Sequence, residues 1–325
     1  MSAVTSSPSE GGGLGIPPGL RRYASLLIVY GLILALGVYA SLLSPNFLTE
    51  RNIFNVLRTA AFLGTVAIGE TFVIISGGID LSVGSVIKLS VLMSAILMNG
   101  KPENIAVAVA ATLAMGAVAG LINGLLITKV RIAPFIVTLG VYSILRGVAY
   151  TVTTKPVGRA APGFLRLYDL KLGPVPLLVI FLALLLLAGI FVLRRMTFGR
   201  YIYAIGGNEQ VARLSGIRVD RVKIGVYVLC STLAALTGLL YLGRSGVGDP
   251  VTGEGAELQA ITAVILGGTS LFGGQGGLIG TLGGVLLIGL TNNVLVILNV
   301  SSWYQELIQG LVIVGAVALY KQKRR

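Results

Sequence analysis

The sequence predicts an all-α fold, a polytopic transmembrane helical bundle of about ten spans with interrupted helices. Hydrophobic residues make up 55% of the 325 and charged residues only 11%, far from the balance of a soluble chain of this length. Apolar runs approaching the ~20 residues needed to cross hydrocarbon recur along nearly the whole chain. The formal net charge of +13 is spread over short loops between these runs, as expected of Lys and Arg held on the cytoplasmic side.

The elements follow in order. Residues 1–22, rich in Ser, Gly and Pro and ending in Arg21 and Arg22, read as a disordered cytoplasmic tail. Tyr23 to Leu43 is too long for the apolar core of a signal peptide and reads as a retained first helix. Further helices are expected at 53–76, 81–99, 104–128, 135–153 and 174–193, punctuated by Pro45, Pro102, Pro134 and Pro174. The chain then turns basic through Arg194, Arg195, Arg200, Arg213, Arg218, Arg221 and Lys223, opposed by Glu209 and Asp220, so 194–223 should be a cytoplasmic loop. Helices at 224–243, 258–272, 277–298 and 304–320 complete a transmembrane domain at 23–320, and KQKRR at 321–325 closes it as a basic cytoplasmic tail. Both termini then lie inside. Lys155, Arg159, Arg166 and Lys171, opposed by Asp169, fall in a connection placed outside, but the two stronger basic clusters set the frame. The segment 258–272 is short for a span, so eight spans with re-entrant pieces stay open.

Several function classes are excluded. Histidine is absent, which removes imidazole catalysis and histidine metal ligation. Cys230 is the single cysteine, so no intrachain disulfide forms and a packing role is expected. The basic residues form no stripe interleaved with aromatics, which argues against nucleic acid. No phosphate-binding G-x-x-x-x-G-K-[ST] loop occurs, since the one Gly-Lys pair, Gly100-Lys101, is followed by Pro102. None of this calls for a cofactor or a metal.

Residues 76–85, SGGIDLSVGS, are polar and glycine-rich between two apolar segments. Backbone freed from a helix costs several kcal/mol per group in lipid, so the stretch should be buried in protein or line a water-filled cavity. Gly77 and Gly78 can end one helix, and Asp80 is expected to cap the next by accepting from the amides of Ser82 or Val83. Whether the break does more than cap, with its ends lining a substrate route, stays open on this pattern. An echo appears downstream: VIISGGIDLSVG from Val73 and VILGGTSLFGG from Val264 align with one gap, pairing Gly77-Gly78 with Gly267-Gly268, as repeats with interrupted helices do in transporters. Candidate pathway residues are therefore Glu70, Gly77, Gly78, Asp80, Ser82, Arg146, Gly267 and Gly268. Arg58, Glu70, Lys88 and Arg146 are ionisable groups within spans, expected to face the interior and pair, for instance Glu70 or Asp80 with Arg146 or Lys88.

In the basic loop, GGNEQVARLSGIRV has the marks of a short surface helix. Asn208 suits its cap, Glu209 its first turn, Arg213 its last and Gly216 its end. Val211, Leu214 and Ser215 share a face. A helix of about two turns neither spans a bilayer nor stands alone in water, so it needs a partner surface, and a cytoplasmic protein is favoured over the membrane surface.

GETFVIISGGIDLSVGS (69–85), APFIVTLGVYSILRG (133–147), TFGRYIYAIGGNEQVARLSGIRVDRVK (197–223) and ILGGTSLFGGQGGLIGTLGG (265–284) together resemble the sugar-type, ribose-type permease subunits of bacterial ATP-binding-cassette importers. The resemblance covers about residues 25–320 with its motifs in order. It implies a permease domain at 23–320 in the inner membrane that catalyses no covalent reaction, pairs with a second permease chain (a homodimer is favoured, a paralogue stays open), binds two cytoplasmic ATPases and receives a monosaccharide from an extracytoplasmic binding protein. In that scheme Gly207, Asn208, Glu209, Val211, Ala212, Arg213, Leu214, Ser215 and Gly216 form the coupling helix seated in the ATPase. The rivals are the related branched-chain amino-acid permease, a proton-coupled secondary sugar carrier using Asp80 or Glu70, and, more weakly, a channel.

Overall fold

The computed structural model describes residues 24–301, 303–305, 307, 308, 310 and 311. The expected tails at 1–22 and 321–325, and most of the helix expected at 304–320, lie outside these residues. Within them the chain is a helical membrane bundle.

Helix α1 runs Ala24–Leu43. Helix α2, Glu50–Ile75, starts on Thr49, whose Oγ1 accepts from the Asn52 amide at 3.4 Å, with Glu50 in the first turn, a favourable end for the helix dipole. Helix α3, Val83–Met98, ends where Asn99 turns left-handed. After a 3₁₀ turn at Pro102–Asn104, α4 covers Ile105–Leu125 and unwinds through a π-type turn at Leu126–Val130. Helix α5, Pro134–Val152, has proline in its first turn, where the missing amide costs nothing.

A short helix α6, Pro162–Asp169, precedes a two-strand ladder, β1 Lys171–Leu172 against β2 Val175–Pro176. This hairpin is a small departure from an all-α fold. It turns on Gly173 at φ +63°, a conformation glycine reaches freely. Helix α7, Leu177–Arg195, leads into α8, Thr197–Gly207, and α9, Glu209–Leu214. The last three are α10, Val219–Ser245, α11, Ala256–Leu266, and α12, Leu278–Ile297. Helix α10 begins earlier than the 224 expected and takes Arg221 and Lys223 into its first turns, because its polar start is held by ion pairs described below.

Among the described residues seven helices are long and apolar enough to cross a membrane, namely α1, α2, the Pro102–Val130 run containing α4, α5, α7, α10 and α12. Helices α3 and α11 are apolar but shorter. Helix α2 is the most enclosed of the seven, with 83% of its apolar window buried, against 11% for α1.

Helix α10 is the hub, packing along α4, α2 and α3. The close approach to α4 has a sequence cause: Gly116, Gly120 and Gly124 stand one turn apart, and a Cβ on any of them would strike α10 at Ser231, Tyr227 or Ile224. Such small-residue stripes let backbones touch where no hydrophobic drive separates helix from lipid. Gly280 and Gly284 do the same for α12 against the backbones of Gly267 and Ala263 at the end of α11. Asn52 and Asn293 exchange two side-chain hydrogen bonds, at 3.0 and 2.8 Å, and tie the start of α2 to α12.

Candidate functional site

The first break is short. Helix α2 ends at Ile75, and the amides of Ser76, Gly77 and Gly78 donate back to Phe72, Ile74 and Val73 at 3.1, 3.0 and 3.0 Å. Gly77 takes φ +81°, so the expected glycine terminator is present. Gly78 is needed for a different reason: a Cβ there would meet the Tyr227 hydroxyl. Helix resumes at Val83, so the irregular backbone is confined to 76–82, and apart from Gly77 and Ile79 these residues are buried.

Asp80 is not the N-cap expected from the sequence. Ser82 occupies that position, with helical backbone angles and no capping bond from its own side chain. Asp80 sits two residues earlier and forms a turn, its Oδ1 accepting from the Ser82 amide at 2.9 Å and the Ser82 hydroxyl at 2.5 Å. The expected acceptor bond is present, shifted outside the helix because the side chain reaches forward across a turn. Asn123 Nδ2 donates to the same oxygen at 3.4 Å, and Ser231 Oγ donates to Oδ2 at 3.3 Å.

The expected charge pairs are also corrected. Glu70 and Asp80 are fully buried, yet neither pairs with Arg146 or Lys88. Glu70 Oε1 instead accepts the backbone amide of Asp80 at 3.1 Å, and its Oε2 accepts from Cys230 Sγ at 3.6 Å. A carboxyl group on α2 thus satisfies an amide that the break has removed from helical bonding. Lys88 donates to the Tyr150 hydroxyl at 3.0 Å, and Arg146 pairs with Glu254 at 3.3 Å with its side chain 45% exposed. Among the described residues no group of three or more His, Cys, Asp or Glu is placed to hold a metal ion.

The second break repeats the first. The amides of Gly267, Gly268 and Thr269 donate to Ala263, Ile265 and Val264 at 3.0, 2.8 and 3.2 Å, and Gly268 takes φ +85°. This is the pattern of Ser76, Gly77 and Gly78, so Gly268 matches Gly77 and Thr269 matches Gly78. The gapped alignment of the two Gly-Gly pairs was out of register by one residue. Glycine identity misled there, because the hydrogen-bond pattern requires only one left-handed position.

The two breaks touch. The Gly274 amide donates to the Ile75 carbonyl at 2.9 Å, and Thr71 and Thr281 share a hydrogen bond of 2.8 Å between their hydroxyls. Gly206, near the end of α8, lies against the same carbonyl, where a Cβ would overlap Ile75 O and the Gly274 amide nitrogen. Tyr203 donates to the Gly276 carbonyl at 2.9 Å. Gly206, Gly273 and Gly274 were not singled out from the sequence, and no local signal marks them, since each contact joins distant segments.

From this node the chain passes directly into the predicted surface helix. Asn208 Oδ1 accepts from the Val211 amide at 3.1 Å, α9 follows, and Gly216 closes it at φ +82° while the Ile217 amide returns to Ala212 O at 3.1 Å. Ala212 is buried, whereas Val211 is 57% and Leu214 89% exposed, and Ser215 is exposed beside them. The helix is held by an ionic net. Lys223 reaches Glu209 at 2.6 Å, Arg213 bonds Glu209 at 3.2 Å and Asp220 at 3.0 Å, and Lys129 in the π-type turn bonds Asp220 at 2.9 Å. Partial burial pulls the Glu209 carboxyl up, but Lys223 and Arg213 together hold it below its ordinary value. Lys129 and Asp220 are anchors that the sequence reading did not single out.

Comparison with known proteins places these motifs. The family model described as branched-chain amino acid transport system / permease component matches residues 52–317, most of the chain. The chain belongs to this permease family. Three relatives show which branch this permease resembles. It is 44% identical over 301 residues to the ribose import permease protein of Escherichia coli (strain K12), covering 90% of this chain and 92% of the relative. It is 36% identical over 333 residues to the L-arabinose transport system permease protein of the same strain, covering 100% and 99%. It is 35% identical over 308 residues to an inner membrane ABC transporter permease protein of that strain, covering 93% of each. The resemblance to ribose-type permeases read from the motifs is thereby shown for nearly the full length of this permease. No solved structure matches it significantly.

Proposed function

We propose that this permease carries a monosaccharide inward across the bacterial inner membrane, driven by cytoplasmic ATPase subunits that dock on Gly207–Gly216. The observation that carries this reading is the capped helix α9, which projects Val211 and Leu214 away from the protein while its root, Gly206, lies against the carbonyl that joins both broken helices. An apolar face so short buries little in lipid and is suited to a groove on a partner. Motion of α9 would act on both breaks through one contact. A proton-driven carrier needs no such device.

The sugar class follows from the relatives, whose names specify ribose and L-arabinose, although the family description names branched-chain amino acids. A second copy of this chain, a binding protein outside and membrane lipid complete the proposed assembly. Helices α3 and α11, with the segment 304–320, would bring the seven long apolar helices to ten crossings and put both termini in the cytoplasm, leaving 1–22 and 321–325 as cytoplasmic tails. ATP hydrolysis is assigned to the partners. Glu70, Gly77, Gly78, Asp80, Ser82, Gly267 and Gly268 then form the inner hinge of the route, acting mainly by holding its backbone in place.

The test is reconstitution of the permease with its ATPase and binding protein in proteoliposomes. ATP-dependent accumulation of D-ribose or L-arabinose, or of D-allose, the sugar named in another relative 35% identical over 299 residues, is expected. Accumulation of leucine, isoleucine or valine instead would transfer the assignment to the amino-acid branch, and sugar uptake driven by a proton gradient without ATP would return it to the secondary carriers.

A further inference from the structure

Arg146 is a charged side chain in a helix long and apolar enough to cross the membrane. It lies six residues from the end of α5, Pro134–Val152, about 9 Å below that end at 1.5 Å per residue. Its side chain is 45% exposed, and an ionisable group within a spanning helix is expected to face protein or a water-filled route. Its surroundings are not those of a simple ion pair. Its guanidinium stands 6.0 Å from the ring centre of Tyr142 and 5.7 Å from that of Tyr150, one turn to either side on the same helix. Lys88 of α3, itself buried, lies 4.5 Å from the Tyr150 ring centre and donates to its hydroxyl.

The opposite bank is acidic. Glu254 pairs with Arg146 at 3.3 Å. Glu257, in the first turn of α11, is 8% exposed, and its Oε2 is buried without a hydrogen-bond partner. A buried polar oxygen left unsatisfied is costly and calls for a donor. Gly84 leaves room for it, since a Cβ there would overlap Oε2.

Together these groups offer two tyrosine hydroxyls, two cations that lie over the tyrosine rings, two carboxyl groups and one buried acceptor without a donor. Tyrosine hydroxyls and the two cations as donors, with carboxyl oxygens as acceptors, suit the hydroxyls of a neutral sugar without favouring an ion. We propose that Tyr142, Arg146 and Tyr150, with Lys88 and Glu257, line the transmembrane route and hold a monosaccharide in transit, Glu257 accepting from a sugar hydroxyl. This rests on the sugar-importer reading above and adds the site to it.

The test is thiol labelling in the reconstituted importer. The native Cys230 is fully buried, which keeps background low. Arg146→Cys is compared with Leu187→Cys on the exposed side of α7, using a charged, membrane-impermeant methanethiosulfonate. The residue 146 thiol should react at least about tenfold faster, and saturating D-ribose, D-allose or L-arabinose, whichever the wild type imports, should slow it several-fold. Adding Glu257→Gln should raise the sugar concentration that gives half-maximal protection by about tenfold, the worth of one hydrogen bond to a charged group. Equal labelling at 146 and 187, or labelling indifferent to the imported sugar, overturns the proposal. Wild-type uptake reports on the importer reading by itself, so the two failures are distinguishable.

Discussion

The Gly274 amide and the Ile75 carbonyl are joined by a 2.9 Å hydrogen bond between two broken helices nearly two hundred residues apart in sequence. Ile75 O is an orphan carbonyl at the end of α2, and the loop of the other break satisfies it. Gly206 of α8 lies against the same carbonyl, so the segment that leads into the surface helix and both breaks share one atom. The contact requires a residue without Cβ at 206. Gly206→Ala should separate the three segments and lower uptake severalfold, at a cost of about 1–3 kcal/mol typical of overpacking. Uptake and thermal stability both at wild-type level would show that the node has no role.

At the first break, Gly77→Val and Gly78→Val should both reduce uptake while ATPase subunits still co-purify, for different reasons. Position 77 holds a left-handed angle that costs a β-branched residue about 1–3 kcal/mol. Position 78 has ordinary angles but no room beside Tyr227. Tyr227→Phe should therefore partly rescue Gly78→Ala and leave Gly77→Ala unchanged, as measured by uptake rate in the double variants.

Asp80 accepts from Ser82, Asn123 and Ser231. Asparagine keeps an oxygen for the Ser82 and Asn123 donors and turns an amide toward Ser231, whose hydroxyl is also able to accept. Asp80→Asn should transport at close to the normal rate, whereas Asp80→Ala should be destabilised by about 1–3 kcal/mol for each buried donor it orphans. Thermal unfolding and uptake of the two variants decide this, and equal inactivity would mean that the charge itself is needed.

Glu209 has its carboxyl held below its ordinary value of 4.5. A depressed acid contributes its stability above that value and loses it as pH falls through the lower folded value. Proteolytic nicking of 207–218 should therefore be constant through neutral pH and rise only below about 4.5, the unfolded carboxylate range. Glu209→Gln should reduce this pH dependence to the part that Asp220, also held low by Lys129 and Arg213, contributes, and Lys223→Met should shrink it without moving its onset above the unfolded carboxylate range. A transition near pH 7 would contradict the assignment to Glu209.

The features that were legible in the sequence are those written in consecutive residues. Gly77 marks a helix end and Asn208 with Gly216 brackets α9, because caps and left-handed glycines act within one turn. Contacts between distant segments were not legible. Arg213 was read for its place near the helix end, but Asp220 and Glu209 fix it, and Lys129 reaches Asp220 from another helix altogether. Glu70 was expected to seek a cation, yet what it meets is the stray amide of Asp80. Tyr142 and Tyr150 were not singled out from the sequence, since Lys88, which lies over Tyr150, comes from α3.

The coupling role of α9 is tested most directly by Val211→Asp with Leu214→Asp. Both side chains face away from the protein, so the variant should insert and keep its fold. Burying unpaired carboxylates in a docking groove is costly enough to abolish it. Co-purification of the ATPase and ATP-dependent sugar uptake, measured on the same preparation, should be lost together. Normal uptake with the ATPase still bound would contradict the coupling role and the importer mechanism built on it.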